Sequence, residues 1–231
     1  MWEPRGGVIT GRMPPSHRAD SSNDSIVFIV DDDPIVRGAI SCLLLSVGRQ
    51  VEQFSSATEL LQCSRSLPAV ASCLVLDIRL PGLSGLDLQA ELTRAGLPIP
   101  IIFITGHGDI PMSVRAMKAG ATDFLTKPFR DQDLLDAVTR ALEYDRKRRN
   151  DEKDILELRV RFGTLTPREK QVMALVTDGL MNKQVAGRMG IGEFTAKIHR
   201  GRLMRKMGAK SLADLVVMAE ALGVRGKLPQ A

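Results

Sequence analysis

Ile26-Val27-Phe28-Ile29-Val30 is a continuous apolar run, of the length expected for a strand covered on both faces. An acidic turn follows, and then apolar positions at Ile40, Leu43, Leu44 and Val47 recur at helical spacing, so the order is strand, loop, helix. The alternation repeats. Val51 to Phe54, Cys73 to Leu76, Ile101 to Ile104 and Phe124 to Leu125 read as strands, with Leu86 to Leu92 and Met112 to Met117 among the helices between them. Strands alternating with helices in this way predict a five-stranded, doubly wound parallel α/β sheet.

After the last helix of that unit, about Asp131 to Tyr144, the charged stretch through Arg146-Lys147-Arg148-Arg149 to Leu158 reads as an extended helix or a solvated linker. No strand pattern remains beyond Phe162. Thr166 to Val176, Lys183 to Met189, Thr195 to Met207 and Leu212 to Leu222 predict a separate all-α domain of four helices. The expected organisation is a disordered tail over 1–24, an α/β domain over 25–143, a linker helix over 144–160 and a helical domain over 161–226.

Composition sharpens this division. Residues 26–143 carry 10 basic and 14 acidic groups, whereas residues 159–231 carry 14 basic and 5 acidic. A strongly basic domain beside an acidic one points to a polyanionic partner for the basic one. No run approaches the roughly 20 apolar residues of a membrane span, and residues 1–24 lack the apolar stretch of a secretory signal, so a cytoplasmic protein with no membrane role is expected. Cys42, Cys63 and Cys73 lack paired metal spacing and read as reduced, buried, structural thiols.

Chemistry in open α/β sheets collects beyond the carboxyl ends of the strands. There the chain places Asp31 and Asp32 after the first strand, Asp77 after the third, Thr105 at the end of the fourth, and Lys127 with Pro128 after the fifth. An isolated Asp in such a place is ordinarily a turn or cap residue. Three converging carboxylates stay ionised only if cations or hydrogen bonds compensate them, and a hard divalent ion such as Mg²⁺ together with Lys127 would do so. Asp77 is then a candidate nucleophile toward a phosphoryl group. Asp33, beside Pro34, reads as a first-turn helix residue.

Val30-Asp31-Asp32-Asp33, Leu76-Asp77, Ile104-Thr105-Gly106 and Lys127-Pro128-Phe129 resemble the receiver domain of response regulators, across residues 25 to about 143. The resemblance implies a flavodoxin-like fold and phosphorylation of Asp77 by a sensor histidine kinase. It further implies Mg²⁺ held by Asp32, Asp77, the Arg79 carbonyl and, through water, Asp31. Thr105 and Lys127 would sense the phosphoryl group, and Phe124 stands where the family carries a switch aromatic.

In the basic domain, Thr166-Pro167-Arg168-Glu169 predicts a capping box with Pro at the first helical position, and Asn182 is available to cap the next helix. Gly190-Ile191-Gly192 then separates a short helix from a longer one, as in a helix-turn-helix. The same glycines approach a dinucleotide-binding fingerprint, but they follow a helix and the third Gly is missing. On the longer helix, Ile198, Leu203 and Met207 are expected to pack.

Leu165-Thr166-Pro167-Arg168-Glu169, Asn182-Lys183, Ala186, Thr195, Lys197, His199 and Lys206-Met207 resemble the LuxR-type domain of NarL/FixJ-class regulators. The resemblance implies that residues from Glu193 to Met207 enter the major groove of promoter DNA. Lys183, Thr195, Lys197, His199, Arg200 and Arg202 are the DNA-facing candidates, and Leu212 to Leu222 would serve a homodimer formed on phosphorylation. The protein is expected to support its own phosphorylation and dephosphorylation without being a turnover enzyme. Two rival readings stay open: a Mg²⁺-dependent aspartyl phosphatase, disfavoured because Asp77-Ile78-Arg79 lacks a second carboxylate two residues on, and an adaptor that has lost DNA binding, disfavoured by the basic helix.

Overall fold

The computed structural model describes residues 25–63, 70–106 and 110–225, so the expected tail over 1–24 lies outside the described residues. The chain divides into two compact units, Met1–Arg146 and Lys147–Ala231.

The first unit alternates β1 (Ser25–Val30), α1 (Pro34–Ser46), β2 (Gln50–Phe54), α2 (Ala57–Cys63), β3 (Ala71–Asp77), α3 (Gly85–Arg94), β4 (Ile101–Thr105), α4 (Ile110–Lys118), β5 (Asp123–Thr126) and, up to Arg146, α5 (Asp131–Gly163). All strand pairs are parallel, in the order β2-β1-β3-β4-β5. The alternation of side chains along a strand explains why β1, β3 and β4 are apolar at nearly every position. Val27, Ile29, Cys73, Val75, Ile102 and Ile104 face a core completed by Ile40 and Leu44 of α1 and Leu134, Val138 and Leu142 of α5. Phe28, Val30, Leu74, Leu76, Ile101 and Phe103 face the opposite core, closed by Leu60 of α2, Leu88 and Leu92 of α3 and Ala116 of α4. At the sheet edge, β2 is largely exposed and only Phe54 is buried.

Three local expectations change. Asp33 is the N-cap of α1, its carboxylate accepting from the Ile35 N–H at 2.8 Å, because Pro34 already occupies the first helical turn. Cys73 is buried in the sheet, and burial pushes its thiol pKa up; Cys42 and Cys63, by contrast, are exposed on α1 and α2. Asp145, within the charged stretch read as solvated, is fully buried and accepts the Ser72 N–H at 2.9 Å, tying α5 to the start of β3. α5 itself continues unbroken to Gly163.

The second unit holds α6 (Pro167–Thr177), α7 (Asn182–Met189), α8 (Glu193–Met207) and α9 (Leu212–Ala221). Val172 and Val176, Val185 and Ala186, Ala196, Leu203 and Met207, and Leu215 and Ala219 form one core, against which Leu158 and Phe162 also pack. α6 starts with the expected capping box: Thr166 Oγ1 accepts from the Glu169 N–H, and the Glu169 carboxylate accepts from the Thr166 N–H at 2.8 Å. Glu169 is buried and also receives Lys206 Nζ at 2.7 Å. The cap of α7 is Met181 rather than Asn182, because the Gln184 side chain takes the Met181 N–H at 2.8 Å. Gly190 ends α7 at φ 64°, a left-handed conformation suited to glycine, and turns the chain into α8. Among the described residues, no helix is long and apolar enough to cross a membrane.

Candidate functional site

The strand order reverses between β1 and β3, and that is where a doubly wound sheet opens a crevice. Asp31 immediately follows β1 and Asp77 ends the neighbouring β3, so the topology itself brings their carboxylates together. One oxygen from each of Asp31, Asp32 and Asp77 lies within 4.8 Å of the others. Lys127, carried in after β5, donates from Nζ to Asp77 Oδ2 at 2.6 Å and to Asp31 Oδ2 at 2.7 Å.

The second oxygen of each of these two carboxylates accepts from the backbone. The Asp33 N–H donates to Asp31 Oδ1 and the Arg79 N–H to Asp77 Oδ1, each at 2.9 Å. Burial raises the Asp31 carboxyl above its ordinary value against the opposing pull of Lys127. For Lys127, burial lowers the ammonium pKa, but the hydrogen bonds to Asp31 and Asp77 outweigh it and the net direction is upward. Asp32 is exposed, so the pocket has one open carboxylate above a buried, partly neutralised pair. The side-chain donors of this cluster are oxygens alone, which suits a hard cation such as Mg²⁺ rather than a thiophilic metal.

The supporting residues occupy the same rim. Thr105 is buried at the end of β4, and its carbonyl accepts the Lys127 N–H at 2.7 Å. Phe124 lies opposite Phe103 in the β4–β5 register and is half-buried against the core beside α4. The exposed Arg79 lines an open groove of about 610 Å³ with Asp32, Leu80, Met112 and Arg115. Two contributors are new. Arg37 donates to the Asp31 carbonyl at 2.6 Å, and Gly85 packs so tightly that a Cβ there would meet the Asp77 carbonyl oxygen at 2.5 Å. The glycine at the start of α3 thus lets the loop after β3 close on the backbone of Asp77. Its sequence signal is only a Gly at a helix start.

In the second unit, α8 buries Ala196, Leu203 and Met207. Lys183, Thr195, Lys197 and Arg202 are exposed, as are Phe194, Arg205 and Ile198. The burial of this helix departs from the expectation at Ile198, and two of the DNA-facing candidates, His199 and Arg200, are half-buried. Ile198 does not pack but is 39% exposed. His199 is half-buried, with Nδ1 sealed off. Arg200 is half-buried and donates to Asn182 Oδ1 at 3.1 Å, fixing α8 to α7.

Comparison with known proteins agrees with both halves. Residues 27–139 match the response regulator receiver domain, and residues 163–219 match the luxR family of bacterial regulatory proteins. The chain is 56% identical over 223 residues to nodulation protein W of Bradyrhizobium diazoefficiens, covering 96% of this chain and 93% of that protein. The chain belongs to the response regulators. This response regulator is also 43% identical over 201 residues to the transcriptional regulatory protein FixJ of Rhizobium meliloti, covering 87% of this chain and 97% of FixJ. The solved structure of the response regulator StyR superposes with a TM-score of 0.76 at 49% identity, covering 85% of this chain and 98% of StyR. The receiver of this response regulator implies a sensor kinase partner, its luxR-type domain implies DNA binding, and the whole is a transcriptional regulator of the NarL/FixJ class.

Proposed function

We propose that Asp77 accepts a phosphoryl group from a sensor histidine kinase, and that its phosphorylation controls promoter binding by the second unit. The observation that carries this reading is the shared ammonium: Lys127 Nζ holds Asp77 and Asp31 at 2.6 and 2.7 Å and compensates both. An Asp77 carboxylate oxygen attacks phosphorus, the bond from phosphorus to the donor nitrogen breaks, and the imidazole leaves. Asp31, Asp32, Asp77 and the Arg79 carbonyl would hold Mg²⁺, which supplies positive charge against the phosphoryl oxygens. Lys127 neutralises the remainder, and the Arg79 N–H keeps the Asp77 carboxylate oriented in the groove.

Thr105 and Lys127 then report the phosphoryl group by hydrogen bonding to it, and Phe124 moves inward as Thr105 turns. Taking such an equilibrium from 1:99 to 99:1 needs about 5.5 kcal/mol of differential stabilisation, within reach of a few charge-assisted hydrogen bonds and a dimer interface. Lys183, Thr195, Lys197 and Arg202 face DNA, and α9, with Leu212 and Val217 exposed, supplies the homodimer surface. A dimer would set two α8 helices in successive major-groove half-sites, about 34 Å apart. The protein acts in the cytoplasm and supports its own phosphorylation and dephosphorylation without turnover, since Arg79 stands where an aspartyl phosphatase needs its second carboxylate. Asp77→Asn is expected to abolish phosphorylation by an acyl phosphate in Mg²⁺ while the fold stays intact. Undiminished phosphorylation of that variant would put the nucleophile elsewhere.

A further inference from the structure

Among the described residues, nothing covers three features on the outer face of α8. Phe194, the second residue of the helix, is 76% exposed, and Ile198 one turn later is 39% exposed. Gly201, another turn on, interrupts a helix interior at a position where an added Cβ would meet nothing within 4 Å. Internal packing therefore asks for neither the exposed ring nor the glycine. Spaced four and three residues apart, the three positions line one face. That face is opposite the buried stripe of Ala196, Leu203 and Met207.

The surroundings say what covers this face. Lys197, Arg202 and Arg205 are exposed around it, Lys183 is exposed on α7, and Glu193 is the one acidic residue of α8. An apolar strip framed by cations fits a polyanion that also offers apolar spots. The major groove of DNA does so, because thymine presents a C5-methyl group there, and the N-terminal residues of a recognition helix are those that reach base edges.

We propose that Phe194 is a specificity-determining residue whose ring packs on a thymine C5-methyl in each half-site, with Gly201 leaving room for close approach of the helix to the groove. This rests on the reading of α8 as the helix that enters the groove. Arg and Lys hydrogen bonds specify guanine by donor geometry, whereas an apolar ring selects thymine by its methyl, so Phe194 adds a kind of readout that the basic residues lack.

The test uses the full chain with Mg²⁺ and acetyl phosphate, and a duplex selected by the wild-type protein from a random pool. Each thymine of that duplex is replaced in turn by deoxyuridine, which removes only the methyl. For the wild type, one replacement per half-site is expected to weaken binding about fourfold, the equivalent of burying one methyl group at about 0.8 kcal/mol. Phe194→Ala should bind the selected and the deoxyuridine duplexes equally, Phe194→Leu should restore part of the difference, and both should keep the wild-type salt dependence on a scrambled duplex. A methyl effect of the same size in Phe194→Ala, or no methyl effect in a wild-type protein that still selects a sequence, would overturn the assignment and leave DNA binding standing. Absence of any salt-dependent binding by the wild type would overturn this inference together with the reading of α8 itself.

Discussion

The two units of this response regulator handle charge in opposite ways. In the receiver, Asp31 and Asp77 are buried and share Lys127, so each charge depends on its neighbours and a change at one is felt by all. On α8, Lys197, Arg202 and Arg205 are exposed and screened by solvent. A buried, interdependent cluster is suited to chemistry and switching. An exposed basic face is suited to graded, salt-sensitive attraction of a polyanion. The difference teaches where single substitutions should act on the whole unit and where they should act only on a ligand.

The largest effect should come from Lys127→Met. It leaves two adjacent carboxylates with no ammonium, and breaking a largely buried pair in this way is expected to cost about 2–4 kcal/mol of receiver stability in metal-free buffer. Urea unfolding of the full chain checks this. An unchanged midpoint would mean that the cluster is solvated and the contrast between the units is false.

Glu169→Gln brings the receiver's logic into the basic unit. Glu169 is buried; burial raises its pKa, but the bonds from Lys206 and Thr166 prevail and hold it below the ordinary glutamate value of 4.5. A depressed carboxylate contributes stability that is present above that value and is lost as pH falls through the folded-state pKa. The variant should therefore be less stable than wild type by about 1–2 kcal/mol at pH 7, and the gap should close on acidification below 4.5. A gap independent of pH would assign the loss to packing.

Gly201→Ala should act in the other direction and more weakly. With open space around the position, alanine should stabilise the second unit by about 0.8–1 kcal/mol through helix propensity. Thermal unfolding checks it. Destabilisation would show that the glycine serves the fold and not the ligand.

The same contrast explains how far the fold and the sites could be read from residues alone. β1, β3 and β4 are legible because a strand buried on both faces is apolar at nearly every position. A carboxylate at the carboxyl end of such a strand interrupts its apolar run, so Asp31, Asp32 and Asp77 stand out in the sequence, and parallel topology brings them to one rim. Asp145 is hidden in a run of charges, where nothing local distinguishes a buried carboxylate from a solvated one; its bond to Ser72, 73 positions away, does so. Gly85 was equally silent, because its role is a clash avoided with the Asp77 backbone. On α8 the rule that apolar residues pack holds for Leu203 and Met207 but not for Ile198. Ile198 and Phe194 face out while Arg200 is drawn against Asn182, as happens where a surface is shaped for a ligand absent from the chain itself.

The central claim is that the chemistry of the buried cluster governs the exposed helix. Its most direct test is the affinity of the full chain for a selected DNA duplex, with and without acetyl phosphate and Mg²⁺, for wild type and Asp77→Asn. The account predicts that the wild type binds tightly only when phosphorylated, and that Asp77→Asn stays at the weak level in both conditions with the same salt dependence. Equal, tight binding by wild type in both conditions would contradict it, separating the receiver's chemistry from the control of DNA binding.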